Sequence, residues 1–326
     1  MIVLKSHTFR TSAAPAYRRN RMNEHLMQIE QMRKSVMLRK LLLIFLPIAV
    51  LIGSFFFFRK REPIMIAVVP FIAIFLDALV YLIFVRKRMR EYRDFYKRNY
   101  VNAMIRSVIP SAQYHPEQGF PSRMINQTGL IMMGNIYKSE DLIEGDHNNV
   151  HFRRADLLIE DEYRDSDGDT HTVTYFKGRW MIFESNKYFE ADLQVIQKGF
   201  GHARRRTGIF TRKVDRRHAF ETEDVTFNNQ FKCLCQNESE AFYLLTPVLM
   251  QGLKRLAAES DGKVMVGFVD NLIHVAIQSS KDYLEPPVFH KVSDKEILDI
   301  QKEIHAVTSF VEGLRLDRKI FMQEKY

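Results

Sequence analysis

Residues 41–58 read LLLIFLPIAVLIGSFFFF and residues 63–85 read PIMIAVVPFIAIFLDALVYLIFV. The first run has 18 residues and no charge, and the second has 23 with Asp77 as its one charged side chain. At about 1.5 Å rise per residue, each is long enough to cross a hydrocarbon core of about 30 Å. Only Arg59, Lys60, Arg61 and Glu62 lie between them. Helices that are apolar all round would need a large apolar shell to be buried in a water-soluble protein. The reading is therefore a transmembrane helical hairpin over 41–85, with an interfacial hairpin that dips into the bilayer as the alternative geometry.

Charge around the two runs sets an orientation. Arg33, Lys34, Arg39 and Lys40 precede the first, and Arg86, Lys87, Arg88, Arg90 and Arg93 follow the second, against three basic residues in the connection. Lys and Arg accumulate on the cytoplasmic side, which predicts a multi-pass protein of the cell inner membrane with both termini cytoplasmic. Forty residues precede the first run, which is not the layout of a cleaved signal peptide. Asp77 falls mid-span, where an ionised carboxylate is costly, so it is a candidate intramembrane polar site: a proton- or ion-linked group, or a contact between copies of a homo-oligomer.

The net charge of +9 invites a nucleic-acid reading, and its distribution argues against one. Residues 1–109 carry 20 Lys and Arg against 6 Asp and Glu, whereas residues 110–326 carry 28 against 33. The basic excess is juxtamembrane, where it faces anionic lipid.

Outside the spans, residues 1–40 form a basic segment in which Met22, Leu26, Ile29, Met32 and Val36 recur at helical spacing, an amphipathic helix for headgroups or a partner. Residues 86–109 contain neither Gly nor Pro and extend the second span as a juxtamembrane helix ending before Pro110. Residues 110–326 change to short runs rich in Val, Ile, Phe, Tyr and Thr, which predicts a soluble, mainly antiparallel, strand-rich domain. Runs 150–163 and 171–185 flank the turn Asp165-Ser166-Asp167-Gly168-Asp169 as a hairpin. Val225, Phe227, Phe231, Cys233 and Cys235 suit one face of a strand, and 264–268 with 272–277 suit a second hairpin around Val269-Asp270-Asn271. Thr246-Pro247 opens a helix over 248–258, and Ser293 with Glu296 forms a capping box for a last amphipathic helix carrying Ile297, Ile300, Ile304, Val307, Val311 and Leu314. The expected class is α+β, in an element order that resembles pleckstrin-homology-like modules.

Three short motifs, Tyr114-His115-Pro116, Phe176-Lys177-Gly178 and Tyr243-Leu244-Leu245-Thr246-Pro247, together resemble the bacterial family known as domain of unknown function 3137. The resemblance spans roughly 110–315. It implies a bacterial inner-membrane protein with two closely spaced transmembrane helices and a cytosolic domain, and it brings no catalytic residues.

The phosphate-loop, dinucleotide, zinc-protease, serine-hydrolase and paired C-x-x-C patterns do not occur, and no cofactor is expected. Cys233 and Cys235 suit a core in a reducing compartment. Asp165, Asp167 and Asp169 begin like a calcium loop, but Phe176 stands where the bidentate Glu belongs. His147, His151 and His171 match no metal-ligand spacing. The pointed feature is 198–218, KGFGHARRRTGIFTRKVDRRH, in which Lys198, Arg204, Arg205, Arg206, Arg212, Lys213, Arg216 and Arg217 face a single acid, Asp215. At about 1 kcal/mol per basic residue near an anionic leaflet, this segment is the candidate lipid- or partner-binding site, with Phe200, Ile209 and Phe210 able to enter the headgroups. The resulting expectation is a membrane-tethered binding or scaffold module that contacts anionic phospholipid and a protein partner. A membrane-bound enzyme, or an oligomeric transporter or pore subunit using Asp77, are the alternatives.

Overall fold

The computed structural model describes residues 16–58, 65–203 and 217–313. The chain divides into two compact units, one made of 1–103 with 285–297, the other of 104–284 with 298–326.

The first unit is helical. Helix α1 (Ala16–Phe58) runs without a break from the basic N-terminal segment through the first apolar run. Helix α2 (Met65–Val80) packs on it and passes through a π-helical turn, Tyr81–Val85, into α3 (Arg86–Phe95), a second π-helical stretch Tyr96–Val101, and α4 (Asn102–Val108). Among the described residues one helix, within His25–Phe57, is long and apolar enough to cross a membrane, and 6 % of its apolar window is buried. Here the expected pair of spans is not reproduced in full. The second run forms α2, 16 residues long, ending at the π turn. At about 1.5 Å per residue that is about 24 Å, short of a hydrocarbon core. The side chain of Asp77 lies outside the described residues.

Part of the amphipathic face expected on α1 is covered within the helical unit itself. Ile29 and Val36 are 1 % exposed, and the Arg33 guanidinium, also buried, binds Glu30 and donates to the Val288 carbonyl at 3.0 Å. Tyr92, Tyr96 and Tyr100 pack in series with tilted rings along α3 and the turn after it, and the Tyr92 hydroxyl donates to the Pro287 carbonyl at 2.6 Å. Glu285 sits 2.5 Å from both Arg93 and the buried Lys97. Segment 285–297, which sequence places with the soluble domain, is thus the cover of the helical unit's own apolar stripe.

Among the described residues the second unit is a seven-stranded sheet whose named pairings are all antiparallel. Its strands are β1 (Gln113–His115), β2 (Ile136–His147), β3 (Val150–Arg164), β4 (Thr170–Gln197), β5 (His218–Phe220), β6 (Phe231–Cys235) and β7 (Lys263–Gln278). The order is β1-β2-β3-β4-β6-β5, with β7 also on β4. Helices α5 (Ser122–Thr128), α6 (Val225–Gln230), α7 (Glu238–Leu244), α8 (Pro247–Glu259) and α9 (Asp294–Gly313) connect or cover them. The β3–β4 hairpin forms where expected, and its Asp-rich turn is tied by Asp165 Oδ1 accepting from the Asp167 and Asp169 amides. Thr246 caps α8 and the Ser293–Glu296 box opens α9, also as expected.

Two strand expectations fail. Residues 225–230 are helix α6, because Asp224 accepts from the Phe227 amide as an N-cap and leaves only 231–235 to the strand. Residues 263–278 are one strand, since Asp270 takes a left-handed conformation (φ 54°) that bends the chain without reversing it. The 28-residue β4 can hold β7 along such a length because its own register breaks between Glu184 and Leu193. Gly178 meets β7 at its closest: φ is 150°, and a Cβ there would lie 2.0 Å from the Ile277 carbonyl oxygen.

Alternation along β3 and β4 divides the sheet into two faces. Ala155, Leu157, Ile159, Phe176, Trp180 and Ile182 point into one core. The opposite face is covered by α9, whose Ile300, Ile304, Val307 and Val311 are buried and whose Phe310 stacks on Phe183 at 4.5 Å.

Candidate functional site

The α9-covered face carries charge where apolar packing is normal. Arg154 and Asp156 alternate along β3, and Asp156 lies opposite Arg179 on β4, so all three project from the same face. Arg154 donates to Asp156 at 2.9 Å and to Glu303 of α9 at 2.8 Å. The Arg179 Nε lies 3.0 Å from the same Glu303 oxygen, and its Nη2 donates to Asp261. Asp261 also accepts from the Tyr283 hydroxyl at 2.5 Å and from Ser279 at 3.2 Å. The Tyr283 ring stacks against the guanidinium, with its centroid 5.4 Å from the Arg179 Cζ.

Both guanidiniums are buried, which is tolerable only because the carboxylates compensate them in place. Burial pushes Asp156 up to about 7, Arg154 pulls it back, and Asp282 and Asp141 add to the rise. Asp261, which burial would raise, is held below the usual carboxylate range by the Arg179 hydrogen bond and then by Tyr283. Asp141, Asp156 and Asp282 bring carboxylate oxygens within 4.8 Å of one another, a spacing that would admit a cation. The Tyr114 hydroxyl donates to Asp141 and the Arg154 guanidinium to Asp156, so much of that negative charge is already met.

Arg179, Asp261, Tyr283 and Glu303 form the floor of a cleft of about 750 Å³. Its walls are the C-terminal half of α8, with Arg255 and Glu259, and the outer face of α9, with Lys302 and His305. Two hydroxyls at the cleft, those of Tyr283 and Ser279, both donate to Asp261, an acid already committed to Arg179. What this arrangement can do is hold and orient a polar, charged ligand.

The residues singled out from sequence fare differently. Arg204, Arg205, Arg206, Arg212, Lys213 and Arg216 lie outside the described residues. Lys198 is exposed. Arg217 is buried and its Nη2 donates to the Gly129 carbonyl at 2.6 Å. Phe200, expected to reach headgroups, is buried beside Phe176 in the apolar core. The histidines each face a separate acid: His147 Glu312, His151 Asp146 and His171 Asp165. Cys233 and Cys235 are free thiols, and burial pushes them up to about 12 and about 11, far from reactivity at neutral pH. Sequence missed the cleft because Arg154, Arg179 and Glu303 are far apart in the chain; the one available signal was basic residues inside otherwise apolar strands.

Comparison with known proteins adds a family. The family described as "Protein of unknown function (DUF3137)" matches residues 174–316, and the chain resembles it over that part. The match takes in most of β4, the Phe176-Lys177-Gly178 and Tyr243–Pro247 motifs, and α9, while Tyr114-His115-Pro116 lies before it. No curated protein matches. Among solved structures, the crystal structure of the mycobacterial trehalose monomycolate transport factor A, TtfA, is similar at 8 % identity and a TM-score of 0.36, over 67 % of this chain and 95 % of that one. That likeness is too loose to bear on function.

Proposed function

We propose that this protein is a membrane-anchored binding module, with α1 held in the bilayer and the sheet unit presenting its charged cleft to a polar partner. The observation that carries the reading is the exposed, uncharged stretch of α1. Leu42, Phe45, Leu46, Leu51, Phe56 and Phe57 are each more than half exposed, an arrangement stable only in an apolar solvent. Exposed Phe71, Ile74 and Phe75 on α2 support a second membrane segment, which needs the π-helical continuation Tyr81–Val85 to reach across, and the flanking basic residues would keep both termini cytoplasmic. The basic residues of 198–217, apart from the committed Arg217, would then contact anionic phospholipid.

The full chain, extracted in mild detergent and washed, tests both parts. It should retain anionic phospholipid, and changing Arg204, Arg205 and Arg206 to Ala should reduce the amount retained. In cross-linking from native membranes, Arg255→Glu with Lys302→Glu should lose a partner that the parent captures. Lipid content and captured partners unchanged by these substitutions would contradict the binding roles.

A further inference from the structure

We propose that the loop 285–291 is a second membrane contact, an interfacial anchor that seats Phe289 among the headgroups of an anionic phospholipid bilayer. The inference rests on the reading that α1 lies in the membrane. The level of the membrane surface is marked within the helical unit itself. On α1 the charges stop at Lys40 and the apolar run starts at Leu41; on the second helix the apolar run stops at Val85 and the charges start at Arg86. Arg39 Nη1 reaches the Phe84 carbonyl at 3.4 Å, so the two changes of polarity occur side by side. Phe289 is brought to that same level, with the Lys40 ammonium 5.8 Å from its ring centroid.

The loop is built to stay there. Pro286 and Pro287 fix their own φ angles, and the Pro287 and Val288 carbonyls accept from Tyr92 and Arg33. Glu285 is clamped by Arg93 and Lys97. A segment so firmly held nonetheless leaves Phe289 59 % exposed, followed by exposed His290 and Lys291. Exposed apolar side chains, Leu38 at 59 % and Phe84 at 59 %, stand at the same change of polarity along their helices, and exposed Arg86, Lys87 and Arg88 add positive charge. An aromatic ring ringed by basic groups where a span leaves the hydrocarbon matches the headgroup layer in both polarity and charge. The consequence is that the chain touches the membrane again after completing the sheet, immediately before α9.

The test uses the full chain in nanodiscs of phosphatidylcholine and phosphatidylglycerol. Phe289→Trp adds one fluorophore to Trp180, the protein's single tryptophan, which is buried in the sheet unit. Replacing part of the phosphatidylcholine by lipid with a nitroxide on its headgroup should roughly halve the added emission, while aqueous iodide has little effect. Lys291→Trp reads the same loop independently if the first variant folds poorly. Added emission that ignores the nitroxide lipid and is fully quenched by iodide, in a chain that stays in the disc, overturns the anchor alone. A chain that fails to remain in the disc overturns the membrane reading as well.

Discussion

The core of the sheet unit and the apolar runs of the helical unit treat their large apolar side chains in opposite ways. In the sheet unit Phe152, Phe176, Trp180, Phe183, Phe227 and Phe268 are all sealed at 0 % exposure. In the helical unit Phe56 and Phe71 stand 74 % exposed, and they belong to long apolar runs. One chain obeys the same preference in both places, and the proposed anchoring accounts for the difference by solvent, with lipid around the exposed apolar stretch of α1 and water around the sheet. The charged clusters repeat the contrast on a smaller scale. In each unit one glutamate serves two cations, but Glu303 is nearly sealed whereas the Glu285 side chain keeps 28 % of its exposure.

That contrast can be broken by measurement. Glu303→Ala leaves Arg154 and Arg179 buried without their shared partner and should cost about 3–5 kcal/mol, read by denaturant unfolding of the detergent-solubilised chain through Trp180 fluorescence. Glu285→Gln should cost less than half of that, because water reaches its carboxylate; equal costs would erase the distinction between the clusters. Gly178→Ala places a Cβ against the Ile277 carbonyl at a φ that side chains resist, and should cost about 1–3 kcal/mol while loosening β4 from β7 in hydrogen exchange. Thr246→Ala removes the α8 cap, whose hydroxyl accepts from the Leu249 amide, for about 1 kcal/mol.

A pH-dependent effect concerns Asp156. Its folded value, about 7, lies above the ordinary 3.8, so between these values the folded state binds more protons than the unfolded one. Its contribution is therefore gained as pH falls through that window and lost as pH rises to about 7. His274, held neutral by burial and lowered from 6.5 to about 3, acts with the opposite sign, favouring the fold as pH rises. Unfolding free energy measured from pH 4 to 7 for Asp156→Asn against the parent should show the parent's relative advantage shrinking with pH. A constant difference would remove Asp156 from the account.

Much of the fold is written locally and was legible. The apolar run of α1, the Asp165 turn, the Thr246-Pro247 start and the Ser293–Glu296 box all report interactions between residues within a few positions of one another. Failures came where tertiary pairing decided the outcome: 264–277 resembles a hairpin until β4 supplies a partner long enough to pair with all of it, and 225–230 resembles a strand until Asp224 caps it. The cleft was not legible, since joining Arg154 to Glu303 takes a contact across 149 residues. Segment 285–297 was misassigned for the same reason, its partners Arg33 and Tyr92 lying far upstream.

The central claim is that the exposed apolar surface of α1 is dissolved in lipid. Alkaline carbonate extraction of membranes containing the full chain tests it most directly. The protein should remain in the sedimented membrane fraction, and release into the supernatant as a folded, soluble chain would contradict the account.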